Sequence, residues 1–497
     1  MEKKKTRVFS IKHGQSPAVK RWTPKCFYPL FSCVGGLCGV GLVATVFLCV
    51  SFKAVFAANP NSIDDDVDGQ VLGERWDIRK LLESYGVTFG LFDVNEVWGN
   101  VSGGKHTGAA YDGITQGSLT VDTGKLLGIE NGTFNISGIL IRGRSISQDQ
   151  LYVLNPTSGF EADRSLRLWE MWYQHTFPDE KVDIRLGQMG IDTEFNTTST
   201  FNYFLNSSFG WPLAPSVNMY AGGPSWPLAS LGVRLHYALD DTWSFLSAVV
   251  DDNPPGGPFY DPKDPTVQNY TSSGAAFHLG TGALIIEELQ YQLNPQPDDL
   301  QHALTDPGLP SIFKLGGYYD TAHFFDQRYD SQRHLLALTG GEPFRHKGNW
   351  QVYALFDAMV WRPDWTKPES LSLSGRLTGN GGDRNIVNLA ADAALLWQGA
   401  LPGREQDEFG VGGGLGRISN RVRAYDRDVR HFLNPLYPIR STEYHLEVMY
   451  NIQVAAWMNV TPDFQYVWSP GGGSFEVQKK KMVRNEAIFG LHCLVSY

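Results

Sequence analysis

Charged and aromatic side chains recur at intervals of two along several segments of this sequence, and that interval decides what they can do together. Asp183 and Arg185 sit in "VDIRLG", Arg234 and His236 in "LGVRLHY", Glu170 and Trp172 in "LRLWEMWY", and Lys314, Tyr318 and Asp320 in "SIFKLGGYYD". In an extended chain, alternate residues share a face. Each set therefore falls on one side of its strand, while rows such as Val182, Ile184 and Leu186, or Leu231, Val233, Leu235 and Tyr237, fall on the other. A wall of acids, bases and rings does non-covalent chemistry, through ion pairs and hydrogen bonds. Covalent chemistry finds no such support. Glu287 and Glu288 are adjacent carboxylates, but neighbours on a strand point to opposite faces and cannot flank one glycosidic bond. The stretch "GVGGGLG" (410–416) lacks the Lys-Ser/Thr of a phosphate loop. Its Gly410, Gly412, Gly414 and Gly416 share a strand face, where small residues leave room for neighbours. No cluster of His, Cys and acids has metal-site spacing, and no serine has a nucleophile's setting. Neither a catalytic group, a metal nor a cofactor is expected.

Strands must position these residues, and the clearest is the last. The chain ends "AIFGLHCLVSY", with Ala487, Phe489, Leu491, Cys493, Val495 and Tyr497 in one apolar row. A period of two is a strand's period, and a terminal strand left as an open edge invites aggregation. "NWQVYALFDAMVW" repeats the pattern with Trp350, Val352, Ala354, Phe356, Ala358 and Val360, and "VTPDFQYVW" with Val460, Phe464, Tyr466 and Trp468. Long Gly/Pro/Asn/Asp-rich loops such as 251–274 alternate with tight turns such as "ALDD" (238–241). Long loops at one end, short turns at the other and strands of about ten residues are the pattern of a transmembrane β-barrel. Closure gives the terminal strand a neighbour on each side. A soluble β-sandwich or β-helix alternates in the same way. Polar rows rich in Arg, His, Glu and Asp, with Tyr and Trp near strand ends, favour the membrane.

The first 57 residues carry nine Lys or Arg against the single acid Glu2, and an apolar run from Phe27 to Val50 leads into "KAVFAANP". A basic leader, an apolar stretch and small residues before a break form a secretory signal, here an extended one with cleavage expected after Ala57. Residues 58–75 read as an acidic flexible linker. There Asp64, Asp66, Asp68 and Gly69 mimic the start of a calcium loop, but Arg75 stands where a bidentate Glu is needed. "WDIRKLLESYG" then has the spacing of one short helix over 76–86, followed by the barrel over 87–497. Without the leader, the 42 basic and 52 acidic side chains of the chain fall to 33 and 51, a net charge of about −18. Nucleic acid is excluded as a partner on that charge. Only Cys493 survives cleavage, so no internal disulfide can form in the remainder.

Several separated blocks resemble the carbohydrate-selective outer-membrane porins of the OprB type: "WDIRKLLESYGV", "LRLWEMWYQ", "VDIRLGQMGIDTEF", "LGGYYDTAHF" and "EYHLEVMYNIQVAAWMNVTPDFQYVWSPGGG". The resemblance runs from about Trp76 to Tyr497. It implies an all-β fold, a 16-strand antiparallel barrel in the outer membrane of a Gram-negative bacterium. It further implies diffusion of glucose and related sugars through a narrowed lumen, and a terminal aromatic read by the barrel-assembly machinery. Tyr497 stands where phenylalanine is usual, and the long leader is a second departure.

Sugars are neutral and hydroxylated and have apolar faces, so a pore that favours them needs aromatic rings and paired charges. The inward rows supply Glu170, Trp172, Asp183, Arg185, Arg234, His236, Lys314, Tyr318 and Asp320 as sugar-contact candidates, although a wide barrel also needs such charges merely as a wall. The Pro/Gly-rich segment 209–228 offers Trp211, Tyr220 and Trp226 for a constriction, or alternatively for packing on the rim. Expected partners are small sugars, outer-membrane lipid and the assembly machinery, with a homotrimer and a monomer both open. A general or cation-preferring porin is the first alternative. A barrel enzyme or a secreted glycan-binding β-protein is the second.

Overall fold

The computed structural model describes residues 77–295, 308–476 and 481–497. The expected leader (1–57), linker (58–75) and calcium-like Asp64, Asp66, Asp68 and Arg75 lie outside the described residues. Sixteen antiparallel strands close into a barrel. In chain order they begin with β1 (Val87–Ser102), β2 (Gly108–Asp122), β3 (Gly132–Gly143), β4 (Ser165–Thr176) and β5 (Val182–Met189). Next come β6 (Ser230–Ala238), β7 (Trp243–Asp251), β8 (Ala283–Leu293), β9 (Ser311–Asp330) and β10 (Pro343–Trp361). The wall continues through β11 (Ser370–Asn380), β12 (Val387–Gln398), β13 (Glu408–Ile418), β14 (Thr442–Ala455) and β15 (Met458–Trp468). A small separate hairpin, β16 (Phe475–Glu476) and β17 (Lys481–Met482), precedes the last barrel strand β18 (Glu486–Ser496). Among the described residues no helix is long and apolar enough to cross a membrane, which leaves crossing to the strands.

Closure answers the problem of the free edge. β18 pairs with β1 on one side, as in Asn95 with Cys493, and with β15 on the other, as in Val460 with Cys493. A short helix, Asp77–Ser84, precedes β1. From it Arg79 Nη2 donates to the Tyr497 carbonyl at 3.0 Å, while Leu81 and Tyr85 stay exposed. The strands are less uniform than expected, from 8 residues in β5 to 20 in β9. β9 and β10 run past the apolar band, because their hairpin pairs as far as Pro343 with Asp330.

The alternation sorts side chains as a membrane barrel requires. Val97, Val352 and Phe489 on outward rows are 53%, 55% and 54% exposed, whereas Glu288, Asp320 and Glu447 on inward rows are fully buried. Exposed aromatics ring both ends of the outer face. Tyr319, Trp350, Tyr444 and Trp468 lie toward the long loops, and Tyr237, Trp243, Trp361 and Trp397 toward the short turns. From Trp350 to Trp361 is eleven residues. At about 3.3 Å per residue and a tilt of about 40° this spans roughly 28 Å, the height of a barrel's lipid-facing band.

Two long loops fold into the interior. The β3–β4 loop (144–164) and the β5–β6 loop (190–229) hydrogen-bond to inward side chains of the opposite wall. The glycines of β13 explain how they fit. A methyl group at Gly412 would lie 2.6 Å from Phe209 and 2.8 Å from Phe204, and one at Gly416 would collide with Leu213. All three contacts are residues of the β5–β6 loop. The neighbours for which this row leaves room are the loop's own apolar side chains, which bury their surface against the wall.

Candidate functional site

The polar rows of β4, β5 and β6 come together as one cluster. Gln174 pairs with Arg185 across β4 and β5, and Arg185 with Arg234 across β5 and β6. Two arginines directly opposite on one face repel each other unless an anion intervenes. Glu194, from the start of the β5–β6 loop, supplies it. Its Oε1 lies 2.5 Å from Arg185 Nη1 and its Oε2 lies 2.8 Å from Arg234 Nε. Burial alone would raise the Glu194 carboxyl, but Arg185 and Arg234 outweigh that effect and hold it below its ordinary value.

Asp183 completes the balance. It accepts from Arg234 Nη1, and its other oxygen lies 2.9 Å from His236 Nδ1. Trp172 forms the apolar side of the cluster, with the Arg185 guanidinium 4.0 Å from a Trp172 ring centroid, within cation–π range. The Trp172 indole donates to Glu170 at 3.2 Å, and Glu170 also accepts from the Gly190 amide at 3.0 Å. Two arginines, Glu194 and Asp183 thus nearly cancel in charge around an aromatic face. Arg234 is 5% exposed at its side chain, whereas Glu194 and His236 are 24% and 31% exposed. Glu194 and His236 therefore meet water most directly, and Arg234 stands behind them.

The β9 candidates face inward, as the alternation requires, but the β5–β6 loop meets Lys314 and packs over Tyr318. Lys314 donates to the Thr197 carbonyl at 3.0 Å and lies 3.5 Å from Glu288. Glu288 in turn accepts from the Asn196 amide and the Tyr353 hydroxyl, each at 2.8 Å. Tyr318 is buried among Ile191, Phe195, Trp211, Met219 and Leu284. Asp320 is fully buried and accepts from the Ala322 amide at 2.9 Å. These two were expected as sugar contacts on the inner wall. Tyr318 lies instead beneath the apolar residues of the loop, and Asp320 is buried beside Asp251 and Asp252.

The three aromatics of 209–228 also hold the loop in place. Trp211 packs in the same cluster as Tyr318 and donates to the Gly222 carbonyl at 3.0 Å. Tyr220 donates to the His323 carbonyl at 2.8 Å and meets Phe259 and Phe324 edge-on. Trp226 meets Phe160 of the β3–β4 loop at 5.5 Å. The segment does fold inward, with its rings turned to the wall and to the neighbouring loop.

Sequence reasoning missed the groups that fasten the loops. Glu447 accepts from the amides of Leu205 (2.7 Å) and Asn206 (2.9 Å). Glu443 accepts from Leu154 (2.9 Å), Asn155 (3.2 Å) and Gly471 (2.6 Å). Arg376, paired with Asp392 at 3.0 Å, donates to the carbonyls of Asn196, Ser208 and Gly210. The spacing of Glu443, His445 and Glu447 in "EYHLEVMYN" marks them as one inward row. Glu194 carries no such mark, since it lies on no strand.

Comparison with known proteins agrees with this architecture. Residues 106–497 match the sequence model of the family described as carbohydrate-selective porin, OprB family. Porin B of Pseudomonas aeruginosa is 26% identical over 424 residues, covering 81% of this chain and 87% of that protein. The high-pH structure of Pseudomonas putida OprB superposes with a TM-score of 0.72 at 24% identity, covering 86% of this chain and 97% of that one.

Proposed function

The chain belongs to the OprB family of carbohydrate-selective porins, and on that premise we propose which part of it meets the sugar. As a sugar porin it passes carbohydrate by diffusion through the barrel. Glucose and related monosaccharides are the permeants we infer, with Arg185, Glu194, His236 and Trp172 as the groups they contact. What supports this reading is the position of Glu194 between Arg185 and Arg234, with the Trp172 ring against Arg185. A near-neutral set of donors and acceptors serves hydroxyl groups without holding a free ion, and the indole serves the apolar face of the ring. Asp183 and Glu170 orient this set. Lys314 and Tyr318 support the loop from behind. The loop itself, with Trp211, Tyr220 and Trp226 as its anchors, narrows the passage.

The family and the fold are those of a channel. In our reading the chain is exported to the outer membrane of a Gram-negative bacterium, is cleaved after Ala57, and is recognised by the barrel-assembly machinery through β18 and Tyr497. Single-channel conductance of the purified protein in a planar bilayer tests the proposal. Glucose should reduce the steps in a saturable way, and an anionic sugar acid should do so more weakly. Steps indifferent to every sugar would overturn it in favour of a general porin. A salt-gradient reversal potential far from zero would favour the cation-preferring alternative.

A further inference from the structure

The outer face of β9, β10 and β13 changes character just beyond the aromatic ring at the long-loop end. Tyr319 and Trp350 pair across β9 and β10, and both are exposed on the outward row. His323 and Phe325 keep the parity of Tyr319, and they pair with Lys347 and Arg345. His323, Lys347 and Arg345 are accordingly exposed, whereas Phe324 is fully buried. On β13 a methyl group at Gly416 would collide with Leu213 of the inward loop. Its neighbour Arg417 therefore faces out, and it too is exposed.

The strand register gives their height. Lys347 stands three residues beyond Trp350, about 7 Å higher at about 3.3 Å per residue and a tilt of about 40°. Cross-strand rows climb from the short-turn end as strand number rises. Trp243, the first residue of β7, is joined through Tyr291 and Phe313 to Phe356, five residues inside the end of β10. Arg417 is reached in the same way from Val352, through Gly379 and Leu389. At about 3 Å per strand it lies about 4 Å above Trp350. Both cations stand just outside the apolar band, at the depth of lipid headgroups.

These cations lack counter-charges. Arg384 of the β11–β12 loop donates to the Gly348 carbonyl at 2.6 Å and so lies against β10. Asp383 beside it is taken by Arg384 at 2.9 Å and by His346 at 3.7 Å. Among the described residues, Arg345, Lys347 and Arg417 have no carboxylate partner. Arg345 rests 5.6 Å from the Phe325 ring centroid, and Arg417 gives its Nε proton to Asn388 Oδ1 at 3.2 Å. On the far side of the barrel the corresponding cations are neutralised, Arg142 by Asp93 at 2.8 Å and Arg144 by Asp149 at 3.3 Å.

We propose that this patch binds the phosphate groups of the glycolipid in the outer leaflet, Lys347 with Arg345 engaging one phosphate and Arg417 a second. The long loops of an outer-membrane barrel face outward, so the patch meets the outer leaflet. Lysine binds phosphate as a point charge and arginine as a fork. Three strands separate Lys347 from Arg417, about 14 Å at about 4.8 Å per strand. One phosphate cannot span that distance, whereas a disaccharide headgroup phosphorylated at both ends can. In a chain of net charge −10, unpaired cations gathered at headgroup depth complement an anionic lipid surface. The inference goes beyond sugar passage and rests only on the outer-membrane placement of the barrel.

Native mass spectrometry of the purified full chain in detergent tests it, with bis-phosphorylated lipid A, its monophosphoryl form and inorganic phosphate as probes. The wild type should hold the bis-phosphorylated lipid at least fivefold more tightly than the monophosphoryl form. The triple variant Arg345→Gln/Lys347→Gln/Arg417→Gln, which alters only exposed side chains, should bind it at least tenfold more weakly. Lys125→Gln, at the short-turn end, should bind as the wild type does. Equal binding by the triple variant, or equal loss in Lys125→Gln, would overturn the proposal. So would displacement of the lipid by an equal concentration of inorganic phosphate, which would make the patch a free-anion site. Glucose block of conductance, read on the same variants, should persist in all of them. Its absence from a wild type that binds lipid as expected would leave the proposal standing and count against the sugar passage alone.

Discussion

Arg185 and Arg234 stand directly opposite each other on the inner faces of β5 and β6, and both are bound by the single carboxylate of Glu194. A repulsive cross-strand pair has thus become a clamp on the first turn of the β5–β6 loop. The same carboxylate keeps the cluster close to neutral.

Glu194→Gln removes that balance and leaves two guanidiniums facing the passage. Reversal potentials in a salt gradient should move toward anion preference. The glucose concentration for half-block should rise about tenfold or more, in line with about 1.5–3 kcal/mol for a charge-assisted hydrogen bond. An unchanged reversal potential would show that Glu194 does not set the local charge.

The pH dependence follows from the direction of its shift. Arg185 and Arg234 depress the Glu194 carboxyl below 4.5 despite its burial. The stabilisation from its charged form is therefore present above the unfolded value and is lost as pH falls through the lower folded value. In a His236→Gln background, which removes the neighbouring imidazole, the difference in reversal potential between channels with and without Glu194→Gln should persist from about pH 8 to about pH 5 and vanish only below the ordinary Glu range. A change centred near neutrality would contradict this.

Trp172 is predicted to act through its face. Trp172→Ala should weaken glucose block by about five- to tenfold, the equivalent of about 1–1.5 kcal/mol of ring contact. Trp172→Phe should retain most of the block, because the ring survives and only the indole donor to Glu170 is lost. Equal losses in the two variants would assign the effect to the hydrogen bond.

The glycine row should decide whether the loop can seat. Gly412→Val places branched carbon against Phe204 and Phe209, whose rings already lie within 3 Å of a bare methyl position. Overpacking of this kind costs about 1–3 kcal/mol. Single-channel conductance should increase as the loop is displaced, while the barrel stays folded.

Glu447→Gln should loosen the same loop from the opposite wall. One of the Leu205 and Asn206 amides then faces an NH2 donor where it had a carboxyl oxygen, and leaving a buried amide unsatisfied costs about 1–3 kcal/mol. Hydrogen exchange at 205–206 should accelerate by about tenfold or more, with exchange in β14 and β15 unchanged.

Much of this architecture is legible in the sequence. Leu231, Val233, Leu235 and Tyr237 against Arg234 and His236 show both the strand and its two faces, because side-chain direction in a strand is a local property with a period of two. The same rule placed Asp183, Arg185, Glu170 and Trp172 on one inner wall, and put Glu287 and Glu288 on opposite sides. It also implied a partner on each side of the C-terminal strand. Each of these inferences needs only neighbours in the chain.

What the tertiary structure alone decided concerns residues far apart in sequence. Glu194 meets Arg234 across 40 positions, Leu205 meets Glu447 across 242, and Leu154 meets Glu443 across 289. No local period records which loop enters the barrel, so Trp211, Tyr220 and Trp226 could be read as a constriction or as rim packing, but not as anchors to the inner wall and the neighbouring loop. Tyr318 had the right face, yet burial beneath a loop depends on where that loop folds. Arg142 and Asp93 likewise become an ion pair only when β3 is brought beside β1 through β2. Alternation fixes direction along each strand, and closure of the wall with its loops folded inside fixes which of those directions end at water, at protein or at lipid.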